Sequence, residues 1–227
     1  MKVNGTGQNQ FPCIVSMVGS EVILWMMGVM KRKILLLRKS LQATEEPSTN
    51  PVKPADVDTI HGLPMHFPRL EGKIESRVAN GDLCFVKCDG DAVSHYTWVS
   101  LEQHDLLGTR MFLAPHQAYI HDVLTAPDYR RKGIAGEILY GVAAYLAAKG
   151  VDSLFVGVYE YNSASLAMFR KLGFTPIGEI VVGKALKLES VESILRNGEV
   201  RTSVLGFTGY GDQQEKVMRN MLAQRSA

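Results

Sequence analysis

The chain has 227 residues, 46% of them hydrophobic and 21% charged, enough to bury a core of its own without disulfides or a structural metal. A formal net charge of +2 excludes a global attraction to nucleic acid or anionic lipid, so any anion site must be a local cluster of positive groups. The three cysteines, Cys13, Cys84 and Cys88, lack zinc-ligand spacing, and Cys84 and Cys88 sit about 13 Å apart along one strand, beyond disulfide reach; reduced thiols, no metal and a cytoplasmic location are expected.

Residues 1–10 are polar and form an arm with the apolar run that follows. That run, Ile14–Met30, is interrupted by Ser16, Gly19, Ser20, Glu21 and Gly28 and falls short of the roughly 20 apolar residues a membrane span needs. It predicts a helix packed on the domain or on a second copy of the chain, as in a homodimer. Because it ends in Lys31-Arg32-Lys33, contact with a membrane surface is the less favoured alternative. The domain itself is expected over residues 33–188, after the arm at 1–32 and before an extension at 189–227.

Within that domain Lys33–Leu41 reads as a first strand and Thr44–Pro51 as a loop. Pro64–Pro68 predicts a break, and Arg69–Ala79 a helix stopping at Asn80-Gly81. Leu83–Cys88 and Ala92–Leu101 flank Asp89-Gly90-Asp91 and predict a hairpin. Ala118–Thr125 is a further strand. Ile134, Ile138, Leu139, Val142 and Leu146 recur at helical spacing up to the stop at Gly150. Ser153–Val158 predicts a strand and Ser163–Leu172 a helix; one or two strands follow in Glu179–Leu188, then a loop at Gly206–Gly211 and a terminal helix at Gln213–Gln224. The order is that of an α+β chain.

The segment Arg130-Arg131-Lys132-Gly133-Ile134-Ala135-Gly136 carries the chemistry. A strand feeds a helix start whose first amide protons have no intrahelical acceptor and whose dipole is positive, so a diphosphate is stabilised there. Gly133, Ala135 and Gly136 let the backbone approach the phosphates, and Arg130, Arg131 and Lys132 add charged donors. The Walker loop and the three-glycine dinucleotide fingerprint are both absent from this turn.

Arg130, Gly133 and Ala135, preceded by a strand and followed by an amphipathic helix, resemble the acyl-CoA-binding signature of the GNAT superfamily of N-acyltransferases. Asn162–Phe174 resembles the same family's strand-five and helix-four block. The resemblance implies an α/β/α fold: a mixed, mostly antiparallel sheet, helices on both faces, and splayed parallel strands four and five. It implies an N-acetyltransferase using acetyl-CoA and a small-molecule amine acceptor, with no nucleic-acid partner.

By the same resemblance Val123, Leu124 and Thr125 hold the pantetheine through their backbone, and the amide near Leu124 faces the thioester oxygen. Arg130 to Gly136, including Ile134, take the diphosphate, while Asn162, Ser165 and Phe169 lie along the cofactor. His121 matches a histidine base of family members that act on arylalkylamines, and Tyr119 stands where others carry a glutamate. Period two places both on one strand face and Asp122 on the other. Phe169 replaces the tyrosine that protonates the leaving thiolate in many members, leaving Tyr161 or Tyr159 as substitutes. His95, Tyr96 and Trp98 are candidates to line the acceptor pocket. Loss of that acid also suits a non-catalytic acyl-CoA-binding module, and the apolar arm suits a membrane-associated acyltransferase using longer acyl chains.

Overall fold

The computed structural model describes residues 30–42, 52–106, 109–185, 188–195 and 201–207. The first strand, β1 (Met30–Ser40), starts three residues earlier than its Ile/Leu run suggests, inside the basic cluster. It is followed by α1 (Val57–His66), a 3-10 turn (Pro68–Leu70) and α2 (Ile74–Ala79). Then come β2 (Leu83–Asp89), β3 (Ala92–Ser100), β4 (Gln103–Leu106), β5 (Thr109–Phe112) and β6 (Gln117–Thr125). The second half runs α3 (Ile134–Ala147), β7 (Ser153–Tyr159), α4 (Ser163–Lys171), β8 (Thr175–Ala185), β9 (Leu188–Leu195) and β10 (Arg201–Phe207).

Among the described residues the main sheet has the order β10-β9-β8-β1-β7-β6-β3-β2, and β4 and β5 form a separate two-stranded ladder. Every pair is antiparallel except β6 with β7. Helices cover both faces, which gives the expected α/β/α layering. On one face Ile138, Leu139, Val142 and Leu146 of α3 and Leu166 and Phe169 of α4 pack on Leu37, Phe85, Ile120, Leu154 and Val156 of the sheet. On the other, Ile60 and Leu63 of α1, Phe67 and Leu70 at the two ends of the 3-10 turn, and Ile74 of α2 pack on Cys84, Val93, Tyr96 and Trp98. Burial pushes the Cys84 thiol up to about 12, so it stays protonated and acts as a small apolar side chain.

Four local expectations need correction. Pro64 lies inside α1 rather than at a break: Asp56 caps the start by accepting from the Thr59 amide at 2.8 Å, and Ile60 and Leu63 anchor the helix in the core. A proline late in a short helix costs one backbone bond, which the capped, anchored turn tolerates. The helix expected over 69–79 is divided, because Gly72 turns left-handed (φ 68°) between the 3-10 turn and α2. The sheet also continues past residue 188, where no strand was expected, into β9 and β10. Gly206 and Phe207 belong to β10 instead of a loop. The arm before Met30, the loop at 44–51, residues 208–211 and the terminal helix at 213–224 lie outside the described residues.

Gly141 fixes how closely α3 approaches the rest of the chain. A Cβ there would come to 3.0 Å from the Val52 Cβ. Gly141→Leu is therefore expected to lower stability by about 1–3 kcal/mol through overpacking, read as a lower urea midpoint at constant slope.

Candidate functional site

β6 and β7 pair from Gln117–Ser153 to Ile120–Val156 and no further, although β6 continues to Thr125 and β7 to Tyr159. Beyond the last pair each strand is held only by its outer neighbour: β6 by β3, through Tyr96–Leu124 and His95–Thr125, and β7 by β1. The middle of the sheet therefore opens as a V. A cleft of about 960 Å³ lies at that opening, lined by Val123, Leu124 and Thr125 from β6, Arg130, Arg131 and Gly133–Gly136 from the turn and α3, and Asn162, Ser165, Met168 and Lys171 from α4.

The turn is shaped by two left-handed residues, Arg131 (φ 62°) and Gly133 (φ 79°). Gly133 is the N-cap of α3 and has no side chain to cap it, so the first-turn amides face the cleft uncovered. A Cβ on Gly136 would meet nothing within 4 Å, so that side of the helix is open space. Arg130 is held by a hydrogen bond from its Nε to the Thr125 carbonyl (3.1 Å). Thr125 is held in turn by His95, whose ring nitrogens lie 2.8 Å from Thr125 Oγ1 and 2.7 Å from Thr97 Oγ1. Lys87 ties β2 to the first turn of α3 through Glu137, at 2.7 and 2.8 Å.

The opposite face of β6 carries a buried polar cluster created by a bulge. Between the pairs Trp98–His121 and Tyr96–Leu124, Asp122 and Val123 oppose the single residue Thr97, and Asp122 is left-handed (φ 48°). The bulge breaks the alternation. Asp122 stays on the side of His121, where it pairs with Arg77 at 2.8 Å, with Arg69, and with the Tyr96 hydroxyl at 3.4 Å. His121 packs at a tilt against His104 (centroids 4.3 Å) and stacks on Trp98 (6.5 Å), and His104 stacks in turn on Tyr119 (4.5 Å). The Arg77 guanidinium lies over the Trp98 ring at 5.0 Å. Burial lowers the basicity of His121, a loss that Asp82 offsets in part and Arg77 deepens.

Residues 58–174 match the acetyltransferase (GNAT) family. The chain belongs to that family. Acetyl-CoA is the acyl donor of GNAT acetyltransferases. Over 61 residues the chain is 30% identical to thialysine N-epsilon-acetyltransferase of Bos taurus, a match spanning 27% of this chain and 36% of that relative. A GNAT-family acetyltransferase from Novosphingobium aromaticivorans has the same fold at a TM-score of 0.51 and 16% identity, covering 67% of this chain and 64% of that one. The ribosomal-protein-S18-alanine N-acetyltransferase of Escherichia coli is similar at a TM-score of 0.44 and 17% identity, over 55% of this chain and 76% of that one. No described helix is long and apolar enough to cross a membrane.

Of the residues matched to the GNAT cofactor site, Val123, Leu124, Thr125, Arg130, Arg131, Gly133, Ile134, Ala135, Gly136, Asn162 and Ser165 line one cleft. Asn162 is also the N-cap of α4, its side chain accepting from the Ser165 amide at 3.1 Å. Two others lie elsewhere. Lys132 sits over the Tyr129 ring at 5.1 Å, and Phe169 is 2% exposed against Phe174 in the core, because α4 turns Met168 and Lys171 toward the cleft instead.

The residues considered for catalysis are dispersed by burial. Tyr119 is 1% exposed, and burial raises its hydroxyl pKa against the pull of a hydrogen bond with the Gly157 backbone, so it is a core residue that keeps its proton. Tyr161 is 77% exposed and stacks on Tyr159, outside the cleft. Tyr96 and Trp98 share the face of His121 but are sealed, while His95 points to the other face beneath Thr125. Sequence reasoning missed Arg69, Arg77, Asp82 and His104, and placed Asp122 on the wrong face because strict period two fails at the bulge.

Burial brings His95 down to about 4 and His104 to about 3 from an ordinary 6.5, and lowers His121. An unfolded chain takes up these protons as pH falls through 6.5, whereas the folded chain resists until near the lowered values. The stability tied to the neutral rings is thus complete above that point and is lost as pH falls below it, by about 1.4 kcal/mol per pH unit for each ring. Urea midpoints are expected to fall steadily from neutral pH to about pH 5, with a shallower fall for His104→Phe; a flat profile contradicts the burial of neutral rings.

Proposed function

We propose that the chain transfers the acetyl group of acetyl-CoA to the primary amine of a small, amino-acid-like acceptor by direct attack in a ternary complex. The observation that carries this reading is the continuity of the cleft from the uncapped start of α3 to the open end of β6. On it, the diphosphate rests on the amides of residues 131–136 with Arg130 and Arg131 beside it. Pantetheine then runs along Val123–Thr125, and the Leu124 amide donates to the thioester oxygen. A donor fixed where negative charge develops contributes a few kcal/mol to the rate.

On this reading the thioester enters from the α3/α4 side, where the cleft lies, and the amine reaches it from the His121 side of the parted strands. The amine nitrogen attacks the thioester carbon, the C–S bond breaks, and the amine proton passes to His121. A ring kept neutral by burial has its lone pair free at neutral pH. With Phe169 in the core the departing thiolate takes its proton from water, which its moderate basicity permits. Small amino-acid acceptors fit this reading because a lysine analogue is named as the substrate of the Bos taurus relative. The absence of a tyrosine at 169 favours, as a second reading, a module that binds acyl-CoA without turnover; thiol release with thialysine and lysine separates the two.

Gly136 gives a cleaner probe of the anion site than Gly133, whose left-handed backbone would strain any replacement. Gly136→Glu is expected to keep the fold and lose acetyl-CoA binding in calorimetry, since it places a carboxylate where the diphosphate sits; unchanged affinity removes the turn from the site. His121→Ala is expected to lower turnover of thialysine roughly 10²-fold with acetyl-CoA affinity preserved, and full activity assigns the base elsewhere.

A further inference from the structure

Most buried side-chain polar atoms in a folded chain have a partner, and clustered exceptions point to a purpose. Four such atoms, Arg77 Nη1, Asp82 Oδ1, Trp98 Nε1 and His121 Nε2, fall together on the α1/α2 face of the sheet. At their centre His121 Nε2 lies 3.3 Å from Asp82 Oδ2, within ion-pair reach but off the axis of a good hydrogen bond. Asp82 is buried and His121 nearly so, with side-chain exposures of 4% and 9%.

We propose that Asp82 is a positioning residue for His121: its carboxylate keeps the proton of the neutral ring on Nε2, leaving the Nδ1 lone pair to accept the proton of the attacking amine, and then faces the imidazolium. The inference rests on the reading of His121 as base. Asp82 is set in place by the chain itself. Gly81 turns left-handed (φ 75°) after α2, and the Asp82 amide donates to the Arg77 carbonyl at 3.0 Å, fixing the residue just before β2.

The charged and titratable groups facing His121 come from every element around it. Arg77 approaches from α2, His104 from β4, Asp82 from the turn before β2, and Asp122 from β6 itself. Asp122 is engaged by Arg69, Arg77 and the Tyr96 hydroxyl, whereas Asp82 Oδ1 has no hydrogen-bond partner. Asp82 is therefore the anion free to answer a new positive charge on the ring. Its neighbour Arg77 opposes that charge. The tilted contact with His104 and the stack on Trp98 also restrain the plane of the ring.

The test is nitrogen NMR of the imidazole rings in the full chain, wild type and Asp82→Asn, titrated from about pH 4 to about pH 8. The wild-type ring of His121 is expected to carry its neutral-state proton on Nε2. In Asp82→Asn its titration midpoint should fall by about one pH unit, and turnover of thialysine by roughly tenfold or more, with acetyl-CoA affinity unchanged. A merely structural role would lower stability without shifting the pH profile of turnover, whereas a positioning role moves that profile together with the midpoint. A wild-type ring protonated on Nδ1, or an unmoved midpoint and turnover in the variant, overturns the proposal. Should Asp82→Asn not fold, the wild-type tautomer and Asp82→Glu decide by the same criteria. Full turnover in His121→Ala would instead sink the base assignment alone, leaving the tautomer measurement to report on the Asp82 contact.

Discussion

Everything at the site depends on the failure of one pair of parallel strands to stay paired. β6 and β7 separate after Ile120–Val156, and the residues beyond cannot remain as an unsupported ribbon. They are kept straight from outside. β3 holds β6 through Tyr96–Leu124 and His95–Thr125, and β1 holds β7 across Ile34–Ser40, so the gap is a property of the sheet and not of a loop. Packing on both faces maintains it, with Val123 leaning on the α3/α4 core and Leu124 on the α1/α2 core.

The bulge at Asp122 and Val123 makes that division of labour work. In an unbroken strand Val123 and Thr125 would share a face with His121. The left-handed residue Asp122 shifts the phase, so that the two cleft-lining side chains turn toward the cofactor helices while His121 and Asp122 remain together on the other side. A left-handed aspartate carries a backbone cost, and here its carboxylate is gripped by two arginines and a tyrosine hydroxyl. The same residue thus connects the shape of the opening to the electrostatics of the buried cluster.

Much of this was legible in the sequence where the signal is local. The spacing of Ile138, Leu139, Val142 and Leu146, the stop at Gly150 and the glycine turn at 133–136 each report on a few consecutive residues, and α3 and its uncapped start follow from them. The cofactor cleft was readable for the same reason, since its lining comes from short contiguous segments. What escaped is long-range. Nothing within Met30–Ser40 says that it will slot between β7 and β8, more than a hundred residues later, and nothing near Asp82 says that it will meet His121. The phase error at Asp122 and the inward turn of Phe169 have a common cause: a pattern gives a periodicity, while packing decides where it slips.

The most direct test of the account is to follow the backbone amides of the full chain by NMR as coenzyme A is added. The open V and uncapped helix predict shifts and slowed exchange concentrated at Leu124, Thr125 and residues 131–136, with little change along Gln117–Ile120, where the strands are already joined. Coenzyme A that leaves those amides untouched, or perturbs a different surface, would contradict it.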